Sequence, residues 1–196
     1  MFVAETNLGL RISVHCMSDS PLHAYHRTTT MTFRLEENIV NMLRAESKRR
    51  HISLNSMINQ ILQRYAEWDM YESKVGLMSF LRPVAAELFK RKSKQEIIEI
   101  ATSTGKNATN DAALFMKNKM DLESFLSWLD VRMKNSSVEV NHSIEGSTHT
   151  YILKHELGEN YSLFQKTVLE LIFNDVLRKR IDCSFSDTIL SFRFST

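Results

Sequence analysis

Residues 30–65 read TMTFRLEENIVNMLRAESKRRHISLNSMINQILQRY, and a short alternating segment there runs directly into two helical periods. From Met31 to Leu35 the apolar side chains Met31, Phe33 and Leu35 share one face of a strand, while Thr30, Thr32 and Arg34 share the other. A first helix is expected to start near Glu36, Glu37 and Asn38, where acidic and capping residues suit the positive end of a helix dipole. Ile39, Met42 and Leu43 give it an apolar stripe, and it closes in the basic run Lys48, Arg49, Arg50 and His51. Ser53 is the expected N-cap of a second helix, whose stripe is Leu54, Ile58, Ile61, Leu62 and Tyr65.

A lone strand of this length leaves its backbone groups unpaired in water, so it needs a partner. The expected partner is the same strand of a second chain. Antiparallel pairing then merges two polar faces of Thr and Arg into one ribbon, of a width that the major groove of B-DNA admits. Arginine bonds bidentately to guanine at the base edge, and threonine offers a hydroxyl to several bases and a methyl to thymine. The start of the second helix presents backbone N–H groups suited to an anion, for which a DNA phosphate is the natural candidate.

The segment resembles the ribbon-helix-helix fold of the Arc, MetJ and CopG type of repressor, over residues 29–69 alone. Laid on an Arc-like pattern without gaps, the resemblance implies base contacts at Thr30, Thr32 and Arg34 and phosphate contacts at Ser53, Leu54 and Asn55. The family's Ser-x-Asn or Ser-x-Ser turn stands here as Ser53-Leu54-Asn55-Ser56. The positions of a buried charged triad in Arc are occupied by Ile52, Met57 and Ile61, and in Arc apolar replacement of that triad leaves a folded, DNA-binding dimer. The implied function is that of a sequence-specific transcriptional regulator, a homodimer on double-stranded DNA that reads a near-palindromic site. Higher assembly on the DNA stays open.

Composition narrows the alternatives. A net charge of +2 over 196 residues is too small for a general polycation, so affinity for nucleic acid has to come from local arrangement. Cys16 and Cys183 lie far apart with no metal-type or redox-type spacing, which reads as a reducing cytoplasm. No apolar stretch approaches the ~20 residues that span a bilayer, and no secretory signal pattern opens the chain. Residues 1–28 mix polar and apolar side chains without a sustained period and are expected to form a partly disordered tail, with Arg27 and Thr28 just before the strand.

Residues 70–196 form an α+β pattern, expected as a domain for oligomerisation, sensing or partner binding. Val75 to Leu81 and Val84 to Phe89 are apolar-rich around Pro83, and Ser93 with Glu96 makes a capping box before Ile97, Ile98 and Ile100. Further helices are expected near Asn110 to Lys119 and Leu122 to Met133. The period then changes. Val138 to Ile144 and Thr148 to His155 read as a hairpin about Glu145-Gly146-Ser147, followed by a helix from Ser162 to Arg180 and a strand region from Ile181 to Phe194 with a turn at Ser186-Asp187. Helices followed by β-β-α-β imply an antiparallel sheet with the long helix against one face.

Chemistry in this half is sparse. Lys154, His155 and Glu156 before Gly158 have no partnered nucleophile, phosphate loop or paired carboxylates, so no enzymatic activity and no catalytic residue or cofactor is expected. His142, His149 and His155 lie along the hairpin and, with Cys183 or Glu156, suggest a nickel, zinc or copper sensor as an alternative, although they do not show the ligand pattern of the nickel-responsive repressor. Two other readings stay open: a repressor responsive to a small molecule, and an antitoxin-like module that binds DNA and captures a protein partner.

Overall fold

Leu10, Ile12, Val14 and Cys16 alternate with Arg11, Ser13 and His15, the period of a strand, and a strand forms there. The computed structural model describes residues 10–16, 27–136 and 138–196, with only the backbone course for 10–16, 27 and 28. The rest of the expected N-terminal tail lies outside the described residues. Strand β1 (Leu10–Cys16) pairs antiparallel with β2 (Arg27–Phe33), from Leu10 opposite Phe33 to Cys16 opposite Arg27. Part of 1–28 is thus a regular strand, and within the chain β1 supplies a backbone partner for β2 where a second copy was the expected one. The physical need is the same, since an unpaired ladder is costly and any strand of matching length and parity satisfies it.

The chain divides into two compact units at Asp69 and Met70. In the first, β2 leads into α1 (Glu37–Arg49) and α2 (Leu54–Arg64), with α2 lying against β1. Glu36 is the N-cap residue of α1 but makes no side-chain cap bond. Ser53 caps α2 as its sequence implied, its Oγ accepting from Ser56 N–H at 2.9 Å. A π-helical turn, Tyr65–Asp69, follows and buries Trp68.

The expected stripes are only partly covered. Met57 and Ile58 are buried, but Met42 is 71% exposed, Tyr65 59%, Ile61 47% and Ile39 44%, and Leu62 is also exposed. Periodicity set which face of each helix is apolar. One helical hairpin and one ribbon do not supply enough surface to bury both stripes.

The second unit opens with a single helical turn, α3 (Met70–Glu72), and ends its helical course at Gly76, whose φ of +72° is a left-handed conformation that side chains other than glycine rarely adopt. Val75 to Leu81 is therefore not the helix its apolar content suggested. Pro83 sits in the first turn of α4 (Arg82–Lys90), where its missing N–H costs nothing. Ser93 and Glu96 form a complete capping box on α5 (Lys94–Ile100). A π-helical turn, Ala101–Gly105, joins it to α6 (Lys106–Lys117). Asp121 caps α7 (Leu122–Asn135), and its bonds to Ser124 with Lys119 alongside hold its carboxyl down at about 2.

The hairpin β3 (Glu139–Glu145) and β4 (Thr148–Lys154) turns at Gly146 and Ser147, with Gly146 at φ +61° as the tight mirror-image turn requires. Helix α8 (Glu159–Leu171) and its π-helical end, Ile172–Val176, precede β5 (Asp182–Phe185) and β6 (Ile189–Ser195). The four strands make one antiparallel sheet in the order β3-β4-β6-β5. Its inner face carries Tyr151, Leu153, Leu190, Phe192 and Phe194 against Phe125, Trp128 and Leu129 of α7 and Val168, Leu169 and Phe173 of the α8 region, all buried. The rings of Tyr151 and Phe192 stack at 4.9 Å, and Phe173 bridges the sheet to α7 through Phe194 at 5.0 Å and Phe125 at 6.0 Å. The outer face presents Thr150, Lys154, Arg193 and Ser195. Among the described residues no helix is long and apolar enough to cross a membrane.

Candidate nucleic-acid interface

The alternation of β2 puts Thr30 and Thr32 on one side of the ribbon, and both are exposed. Arg34 follows the last residue of the strand, exposed and with no ion-pair or hydrogen-bond partner among the described residues. Of the three residues predicted to read bases, Thr30 and Thr32 thus share one exposed side of β2, and exposed Arg34 follows directly after it. On the opposite parity Phe33 is half-buried, while Met31 and Leu35 remain exposed.

At the second predicted cluster, Ser53 and Asn55 are exposed and Leu54 is half-buried, all at the start of α2. The Ser53 hydroxyl is engaged locally, with Ser56 Oγ 2.8 Å away in addition to the cap bond. The Ser56 N–H is consequently used by the cap, so an anion at this helix start would meet the earlier turn positions. The basic run is internally committed in part: Arg49 and Arg50 both bond Glu46, at 2.7 and 2.6 Å, and these two guanidiniums hold the Glu46 carboxyl at about 2. Lys48 and His51 are exposed, His51 with the positive φ of a residue that ends a helix. No family model, curated protein or solved structure matches this chain.

The second unit does not gather the residues considered for metal binding. His142 and His149 do meet, with Nε2 and Nδ1 3.1 Å apart and the His142 ring stacked on Tyr151 at 3.9 Å. Burial and the neighbouring imidazole push the His142 pKa down, opposed by Asp130. His155, however, lies past the end of β4 and is buried in a separate network. Its Nδ1 accepts from Leu157 N–H at 3.2 Å, so Nε2 carries the proton and donates to Ser162 Oγ at 2.8 Å, and that hydroxyl donates to the Ser186 carbonyl at 2.7 Å. Cys183 is half-buried on β5, its thiol pushed up to about 12 mainly by burial, the opposite of a reactive thiolate. Among the described residues no three His, Cys, Asp or Glu side chains converge to hold a metal ion.

A cleft of about 750 Å³ lies between α4 and the segment joining β4 to α8, lined by Glu87, Lys90, Glu156, Glu159 and Asp187 among others. Its charges mostly serve the fold: Glu156 pairs with Arg82, Glu159 with Lys94, and Asp187 accepts the Glu159 N–H. Asn160 likewise donates to the Phe89 and Lys92 carbonyls, closing the end of α4.

The feature that sequence reading missed is β1. Its signal, four apolar residues at alternate positions in LRISVHC, was present.

Proposed function

We propose that this protein is a sequence-specific, double-stranded DNA-binding regulator of the ribbon-helix-helix kind, acting as a homodimer that lays a two-stranded antiparallel ribbon containing β2 in the major groove. The observation that supports the reading is that Thr30 and Thr32 share one exposed side of β2, with exposed Arg34 directly after the strand and the exposed start of α2 in the same unit. Bases are read by Thr30, Thr32 and Arg34. Phosphates are held at Ser53, Leu54 and Asn55, which fixes the register of the ribbon and makes affinity fall with salt. The exposed stripe of Ile39, Met42, Ile61, Leu62 and Tyr65 supports a homodimer, because a second copy brings a matching apolar surface to cover it. Residues 70–196 act as the oligomerisation, sensing or partner-binding domain, and their own buried aromatic core favours this over an antitoxin-like tail that folds only on its partner.

The test is selection of bound genomic fragments at moderate salt, run in parallel with Arg34→Ala and Asn55→Ala. The wild-type chain should enrich a two-fold symmetric motif. Arg34→Ala should cost about 1–3 kcal/mol at the specific site and relax preference there, whereas Asn55→Ala should weaken all sequences more evenly. Equal losses on specific and random duplex for Arg34→Ala would remove its reading role. No enrichment by the wild-type chain would refute sequence-specific binding.

A further inference from the structure

Resting on the DNA-binding reading, the backbone register points to a second reading strand inside the same chain. We propose that β1 is the other half of the ribbon and that Arg11, with Ser13 and His15, adds base-reading positions beside Thr30 and Thr32. In the antiparallel register Arg11 stands opposite Thr32, Ser13 opposite Thr30 and His15 opposite Thr28. Residues opposite one another in an antiparallel pair share a face, so these three positions fall on the polar face of the ribbon. At one end of the ribbon the alternate set matches, Leu10 opposite Phe33 and Ile12 opposite Met31, while towards the other end Val14 stands opposite Thr29 and Cys16 opposite Arg27. A slip of one residue would put Arg11 and Ser13 opposite apolar or other-face positions and break the match of Leu10 and Ile12 with Phe33 and Met31, so the observed register keeps polar with polar over Arg11, Ser13 and His15.

The chemistry of that polar side suits a polyanion with readable edges. Neither 10–16 nor 27–34 contains an aspartate or glutamate, the shared face holds the positions of Arg11, Ser13, His15, Thr30 and Thr32, and Arg34 follows just beyond β2. Arginine is the side chain that discriminates guanine by two parallel bonds, and hydroxyls serve several bases. A ribbon complete within one chain also alters assembly. Each chain brings its own reading element, and the second copy is required for the helical stripes and the two-fold site, not to complete the strand pairing.

Two experiments on the full chain test this. First, fragment selection with Arg11→Ala beside Arg34→Ala. Arg11→Ala should lose about 10- to 100-fold in preference at base positions distinct from those lost by Arg34→Ala, while binding to random duplex changes little. Arg11→Lys should not restore the preference, because the lysine ammonium lacks the planar fork. If Arg11→Ala keeps the wild-type motif while Arg34→Ala loses it, β1 does not read DNA and the DNA-binding reading survives. If the wild-type chain selects no motif, both fall. Second, Ser13→Cys with Thr30→Cys, in a background with Cys16 and Cys183 replaced by serine, should lose both thiols on mild oxidation and still migrate as a single chain. A disulfide-linked dimer, or retention of both thiols, would overturn the in-chain ribbon whatever the DNA result.

Discussion

Gly105→Ala pits two effects of similar size against each other, and the structure decides the sign. Gly105 is buried at the end of the π-helical turn with right-handed helical angles, φ −61° and ψ −43°, so alanine meets no backbone strain. Helix propensity alone would make the change stabilising by about 0.5–1 kcal/mol. A Cβ at that position, however, would lie 2.8 Å from Phe164 Cζ and 2.9 Å from Val168 Cγ2, both on α8. The phenyl tip can turn at modest cost. Val168 cannot: it is 1% exposed, β-branched and stiff, and its helix is packed against the sheet. Overpacking of this kind costs about 1–3 kcal/mol, so we expect a net destabilisation of about 1–2 kcal/mol. At about 4 °C per kcal/mol for a domain of this size, the melting temperature of the C-terminal domain should fall by about 4–8 °C. Urea and thermal unfolding, followed by circular dichroism and by the fluorescence of buried Trp128, measure it. An unchanged or raised midpoint would mean that α8 yields to the methyl group and that the close approach at Gly105 does not constrain the domain.

Two further predictions use the networks on either side of the domain boundary. Burial lowers the His155 pKa, with Asp187 opposing, and the tautomer leaves Nδ1 accepting from Leu157, so a second ring proton would face an N–H. The unfolded chain therefore takes up protons at a higher pH than the folded one. Stability should be at its full value above the ordinary histidine pKa near 6.5 and fall as pH drops through it, with His142 contributing in the same direction. Chemical denaturation at pH 7.5 and pH 5.5 should show the loss, and a midpoint that does not move would contradict the assigned network. Ser53→Ala removes the side-chain acceptor of Ser56 N–H and should cost about 1 kcal/mol of stability in the N-terminal unit. Comparing its unfolding with its affinity for random duplex separates the cap from any phosphate contact, since Ser53→Asp should restore stability and not DNA affinity.

What the sequence by itself determined is local. The Ser93–Glu96 capping box, the Ser53 cap, the hairpin about Gly146 and the break before Leu122 all rest on interactions within a few residues, which spacing and side-chain type specify. The apolar and polar faces of β2 were legible for the same reason, because alternation is a property of a single strand. Only the tertiary structure decided what meets those faces. Periodicity gives each stripe a direction but no partner, so it could not tell that β1 would pair with β2 within the chain, nor that Met42 and Tyr65 would stay uncovered within it. The sheet order β3-β4-β6-β5, the separation of His155 from His149 and the contact at Gly105 depend in the same way on segments distant in sequence meeting in space, and no local pattern encodes that meeting.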